Sequence, residues 1–143
     1  MNTCTAAIEW TRTGGEFKTS AAQCMTIPAP NRLDVNPEAA FIAALSSGHM
    51  QSFLRLATMF GYVIEHYGDT PEGIIATNSS GEPWVAHVIL QPAILFTGAK
   101  APTDAAVLAL HHAAHAECPL ANSVSTLVET AGVWHYEACI DAD

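Results

Sequence analysis

The tripeptide Asn36-Pro37-Glu38 opens the stretch that most constrains this chain. Asn36 suits an N-cap, Pro37 suits the first helical position, where its missing N–H costs nothing, and Glu38 complements the positive end of a helix. Ile42, Leu45, Phe53, Leu56 and Phe60 then recur at helical spacing, and Gly61 supplies a stop. The pattern predicts one long helix ending near Phe60. His49 falls in its apolar stripe and is expected to face the interior or an interface, either as a hydrogen-bonded core histidine or in a catalytic role.

The segments on either side read as strands. Cys4 to Trp10 leads through the turn signal Thr13-Gly14-Gly15 to a short strand at Glu16 to Thr19, and Pro28, Pro30 and Asn31 mark a loop. After Gly61 come Tyr62 to Tyr67, the turn Gly68-Asp69-Thr70-Pro71, a strand Gly73 to Thr77 and the hairpin signal Asn78-Ser79-Ser80-Gly81. A long strand Trp84 to Phe96 follows, with Pro92 marking an edge or a bulge. Thr103 is the N-cap of a second helix to Glu117, Pro119 fits the first turn of a short helix to Val124, and Gly132 to Ile140 closes the chain as a strand. The order β-α-β-α-β indicates an α+β domain.

At 143 residues the chain reads as one domain, residues 1–143. Half of it is hydrophobic and only 13% is charged, a balance that favours burial of apolar surface against a second subunit. Five Lys and Arg against fourteen Asp and Glu leave a net charge of -9, which excludes a nucleic-acid or anionic-membrane partner. The first residues lack a signal-peptide pattern, and the longest apolar run, Ala39 to Leu45, is too short to span a bilayer, so a cytoplasmic location is expected.

Cys4, Cys24, Cys118 and Cys139 form no CxxC pair, and structural disulfides are rare in a reducing compartment. Cys4 and Cys139 read as free thiols in strand cores. Cys118, just before Pro119, has two readings. It can cap the short helix, where free N–H groups and the dipole favour a thiolate, or share the stripe of Val107, Leu110 and Ala114 as a buried small hydrophobe.

Asn36-Pro37-Glu38, then Ala43-Ala44-Leu45-Ser46-Ser47-Gly48-His49-Met50, then Gly61 through Tyr67 with Asp69, and finally Ala113-Ala114-His115 through Cys118-Pro119-Leu120-Ala121-Asn122-Ser123 together resemble the OsmC/Ohr family of thiol peroxidases. The similarity runs from Val35 to Val124 in the family's order and spacing, and the N-terminal third matches loosely. It implies antiparallel sheets packed on a long central helix, in an intertwined homodimer with active sites at the subunit interface. In that family a helix-borne thiolate attacks the peroxide O–O bond and becomes a sulfenic acid. A second cysteine condenses with it, and a dithiol reduces the disulfide. An arginine stabilises the attacking thiolate and a glutamate orients the arginine.

Carried over by position, Cys118 matches the resolving cysteine and Glu38 the glutamate. Gly48 stands where the attacking cysteine is expected. Arg32 ranks ahead of Arg12 for the arginine, while Arg55 reads as a packing or surface residue. A mid-helix glycine costs about 1 kcal/mol relative to alanine and Ser46-Ser47-Gly48 could bend. Close approach of two helices across a dimer, room for a ligand, or loss of a cysteine would each account for it.

Three functions follow. The first is a relative of thiol-dependent organic hydroperoxide reductases in oxidative stress defence, its cycle impaired or lost at Gly48, with a dithiol reductant as possible partner. The second is a non-enzymatic binding protein for a fatty or aromatic molecule at the dimer interface. The third is metal binding by His111, His115 and Cys118, with no fourth ligand evident, and His112 facing solvent. No cofactor is expected. Cys24 could approach Cys118 as a relocated thiol or lie buried and unreactive.

Overall fold

The computed structural model describes residues 2–12, 17–19 and 36–138. Arg32, Cys24 and Cys139 lie outside the described residues. The fold is α+β: strands β1 (Asn2–Thr5), β2 (Ile8–Thr11) and β3 (Phe17–Thr19) precede helix α1 (Pro37–Met59). Strands β4 (Val63–Asp69), β5 (Glu72–Thr77), β6 (Pro83–Leu90) and β7 (Pro92–Thr97) follow, then helix α2 (Asp104–Glu117), and finally β8 (Leu127–Thr130) and β9 (Val133–Tyr136). No helix among the described residues is long and apolar enough to cross a membrane.

Helix α1 starts and stops where local chemistry dictates. The Asn36 side chain accepts from the Ala39 N–H at 3.1 Å, and the chain leaves the helix through Gly61 at φ 85°, a conformation glycine adopts without strain. At 23 residues, roughly 35 Å long, α1 is buried on most sides, with Ile42, Leu45, His49, Phe53 and Leu56 among its inaccessible residues. It contacts strands of both sheets, and α2 packs along it. The helix continues unbroken through Ser46-Ser47-Gly48.

The sheets are mixed, a correction to the expected antiparallel ones. One has the order β1-β5-β6-β8 and the other β3-β2-β4-β7-β9, and the pairings β6 with β8 and β7 with β9 are parallel. The chain steps from one sheet to the other within one or two residues at four places: between β1 and β2, β4 and β5, β6 and β7, and β8 and β9. Two expected strands are therefore each two. Cys4 to Trp10 divides at Ala6-Ala7, and Trp84 to Phe96 divides at Gln91, with Pro92 starting a strand in the other sheet. A proline at a strand's first position removes no ladder bond, which is why the break falls there.

The four crossings lie together and are bonded to one another. Asp69 accepts from the Gln91 N–H at 2.6 Å, the Gln91 side chain donates to the Thr70 carbonyl, Ala131 donates to Leu90, and Ala6 donates to Pro71. At Gly132 an added Cβ would lie 2.8 Å from the Pro92 carbonyl oxygen, so this close approach requires glycine. Ser46 Oγ donates to Asp69 at 2.5 Å, tying α1 to the same cluster. Burial pushes the Asp69 carboxyl up, opposed by these hydrogen bonds.

Candidate functional site

Cys118 ends α2, and its thiol is 1% exposed. Thr103 caps the other end of α2, its hydroxyl accepting from the Ala106 N–H at 3.1 Å, as the sequence predicts. The expected short helix after Pro119 is only a three-residue 3-10 turn, Ala121–Ser123, flanked by Leu120 rather than Cys118. Cys118 therefore lies at a helix C-terminus, with its carbonyl accepting from the Asn122 N–H. The dipole argument for a thiolate fails with the helix. Of the two readings of Cys118, burial in the stripe of Val107, Leu110 and Ala114 describes its place, since all four are inaccessible.

The thiol rests against Gly48. A Cβ built on Gly48 would lie 3.0 Å from Cys118 Sγ and 3.6 Å from Leu120 Cδ1. Thus the two positions singled out by sequence, far apart in the chain, meet across the seam between α1 and α2. Because Gly48 carries no side chain, Cys118 Sγ approaches the α1 backbone closely, and Leu120 Cδ1 lies over the same position.

One residue further along α1, His49 Nε2 is 3.0 Å from His111 Nδ1. The rings are nearly parallel, at 12°, with centroids 5.2 Å apart, so they meet edge to edge and share one N–H···N bond. Phe53 packs against His111 at 4.4 Å between centroids. Burial, then the nearness of His111 and His115, hold His49 down to about 3, and burial holds His111 down to about 4. Both are therefore neutral near pH 7, one donating and one accepting. The sequence placed His49 in the core and noted His111 only for its spacing to His115. Their contact was missed, although the apolar stripes carrying both histidines were the available signal.

The other candidates lie elsewhere. Glu38, ten residues before Gly48 on one continuous helix, is about 15 Å away along its axis. Its nearest charge effect falls on Cys4, whose buried thiol is pushed up first by burial and then by Glu38, against a bond to the Gly73 carbonyl. Arg12 is paired with Glu65 at 2.7 Å, and Arg55 is an exposed partner of Glu117. His112 and His115 are exposed, and among the described residues no three His, Cys, Asp or Glu side chains are grouped to hold a metal ion. The described geometry thus joins Gly48, Cys118 and the His49–His111 pair, while Glu38 and Arg12 stand apart from them.

Among solved structures, the chain is 40% identical to an OsmC-like protein of unknown function from Vibrio cholerae O1 biovar eltor, over 89% of this chain and 84% of that one, with a TM-score of 0.69. It also resembles an OsmC-like protein from Mycoplasma pneumoniae (12% identity, 90% and 94% covered, TM-score 0.61). A further match is the organic hydroperoxide resistance protein OhrB of Bacillus subtilis (17% identity, 94% and 98% covered, TM-score 0.58). The last two likenesses concern the fold alone. No protein-family model matches the sequence, and no curated protein matches it.

Proposed function

This chain belongs to the OsmC/Ohr family, and from that premise we propose that it is a relative of the thiol-dependent hydroperoxide reductases whose two-cysteine cycle is broken at Gly48. The observation that carries the proposal is the 3.0 Å between the Gly48 Cβ position and Cys118 Sγ. In a disulfide with an S–S bond of about 2.04 Å, each Cβ stands about 3.0 Å from the opposite sulfur. Position 48 is therefore the seat of a disulfide partner that lacks its sulfur.

Two features keep peroxide turnover low in the chain as it stands. A sulfenic acid formed on Cys118 would find no thiol at position 48 with which to condense, so the step that releases water and forms a disulfide has no intramolecular route there. The Cys118 thiol is also covered, which bars an incoming peroxide. The distance between Glu38 and Gly48 within one chain supports completion of the site by a second copy. So does the exposure of Met59, Phe60, Leu120 and Leu127, large apolar side chains that a homodimer would cover.

The test is consumption of cumene hydroperoxide with a dithiol reductant by the unmodified protein, Gly48→Cys and Cys118→Ser. Slow or absent turnover is expected for the unmodified chain and a gain of at least tenfold for Gly48→Cys. Rapid turnover by the unmodified chain that survives Cys118→Ser would overturn the proposal. Native mass spectrometry reads the dimer directly.

A further inference from the structure

A cleft of about 510 Å³ lies between one face of α2 and the β8–β9 crossing, within the size range of small-molecule sites. Its walls are Val107, Val128 and Trp134, and the exposed Leu108 and Val133 form its lips. Neither Gly48 nor Cys118 lines it, so it is separate from the thiol seat.

The polar groups of the cleft define what it can hold. His111 lines it, and with Nδ1 committed to His49 the ring offers Nε2 as its one remaining hydrogen-bonding atom. The lining contains no Lys or Arg. Its single carboxylate, Asp104, accepts from Trp134 Nε1 at 2.9 Å and thereby anchors the indole as a wall. His112 and His115, which are exposed, and Thr130 also line the cleft and add polar groups at its rim. An anion would meet Asp104 with no fixed cation to offset it, in a protein of net charge -9. A bulky ammonium would have to leave water for walls of valine and indole. A neutral molecule with an apolar body and one hydroxyl suits both the apolar walls and the nitrogen of His111 that His49 leaves free.

We propose that this cleft binds a small neutral apolar molecule bearing one hydroxyl, of the phenol or alcohol class, with the hydroxyl bonded to His111 and the body packed on Trp134.

The experiment compares 4-propylphenol, propylbenzene and 4-propylbenzoate on the full chain by calorimetry and tryptophan fluorescence, with His111 ring-nitrogen shifts followed by NMR. The phenol is expected to bind about tenfold more tightly than the hydrocarbon, the scale of one hydrogen bond, and more tightly than the benzoate. Trp134→Phe should abolish most of the fluorescence response while calorimetric binding persists. His111→Phe should equalise phenol and hydrocarbon. The three ligands on the unmodified chain decide the matter even where that variant folds poorly. Equal affinity for phenol and hydrocarbon, tighter benzoate binding, no binding, or unmoved His111 signals would each overturn the proposal. The peroxide assay concerns other residues, so the two readings fail separately.

Discussion

Replacing Gly48 by cysteine puts the thiol seat under quantitative test. A Cβ at 3.0 Å from Cys118 Sγ is too close for a comfortable nonbonded contact, yet it is the separation that a disulfide imposes. Alanine and cysteine at this position should therefore diverge. Gly48→Ala gains about 1 kcal/mol of helix propensity and loses a similar amount to crowding against the sulfur, leaving stability nearly unchanged. Oxidised Gly48→Cys instead closes a loop of about 70 residues, worth roughly 4 kcal/mol in the chain-entropy account. For a chain of 143 residues that corresponds to a rise in Tm on the order of 10 °C over the reduced variant. Diamide oxidation, intact-mass measurement of the lost hydrogens, peptide mapping and melting with and without dithiothreitol provide the assay. A native variant that keeps both thiols free after oxidation, or one whose 48–118 disulfide melts no higher than its reduced form, refutes the geometric reasoning.

Two further perturbations address the packing around the seam. His49 titrates near 6.5 when unfolded and near 3 when folded, so the unfolded chain takes up the proton first as pH falls. Stability is full above about pH 6.5 and is lost on the way down towards 3, with His49 accounting for about 2 kcal/mol of loss by pH 5. Urea midpoints at pH 7, 6 and 5 should fall less steeply for His49→Phe, and an equally steep fall would sink the assignment. Asp69→Ala strands the buried Ser46 hydroxyl and the Gln91 N–H, at a cost of about 3 kcal/mol by chemical denaturation. A loss below about 1 kcal/mol would mean that the crossings do not depend on Asp69, whereas Asp69→Asn, which can still accept from Gln91, should fall between.

The parts of the fold legible in sequence are those whose cause is local. Asn36 and Thr103 cap helices because each side-chain oxygen reaches an N–H three residues on, and Gly61 turns the chain out of α1 by its own backbone freedom. Strand β8 was missed, and so were both parallel pairings, because Leu127–Thr130 is held by β6, far back in the chain, rather than by any nearby turn. The divided strands have the same origin: a single residue, Gln91, suffices to change sheets because Asp69 from another crossing receives its N–H. Alternation along Trp84 to Phe96 carries no trace of that partner.

Position 48 shows where the two kinds of information separate. Its importance was readable from the motif around it, but a glycine in sequence equally permits a bend, a ligand gap or a close approach. The structure retains an unbroken helix and fills the space above Gly48 with Cys118 Sγ and Leu120. The absent side chain has therefore not opened a ligand gap there; it has let a neighbouring thiol sink into the helix seam. That arrangement ties the chemistry to packing: restoring a sulfur at position 48 supplies the partner and, through the same crowded contact, drives Cys118 either into a bond or out of its present seat.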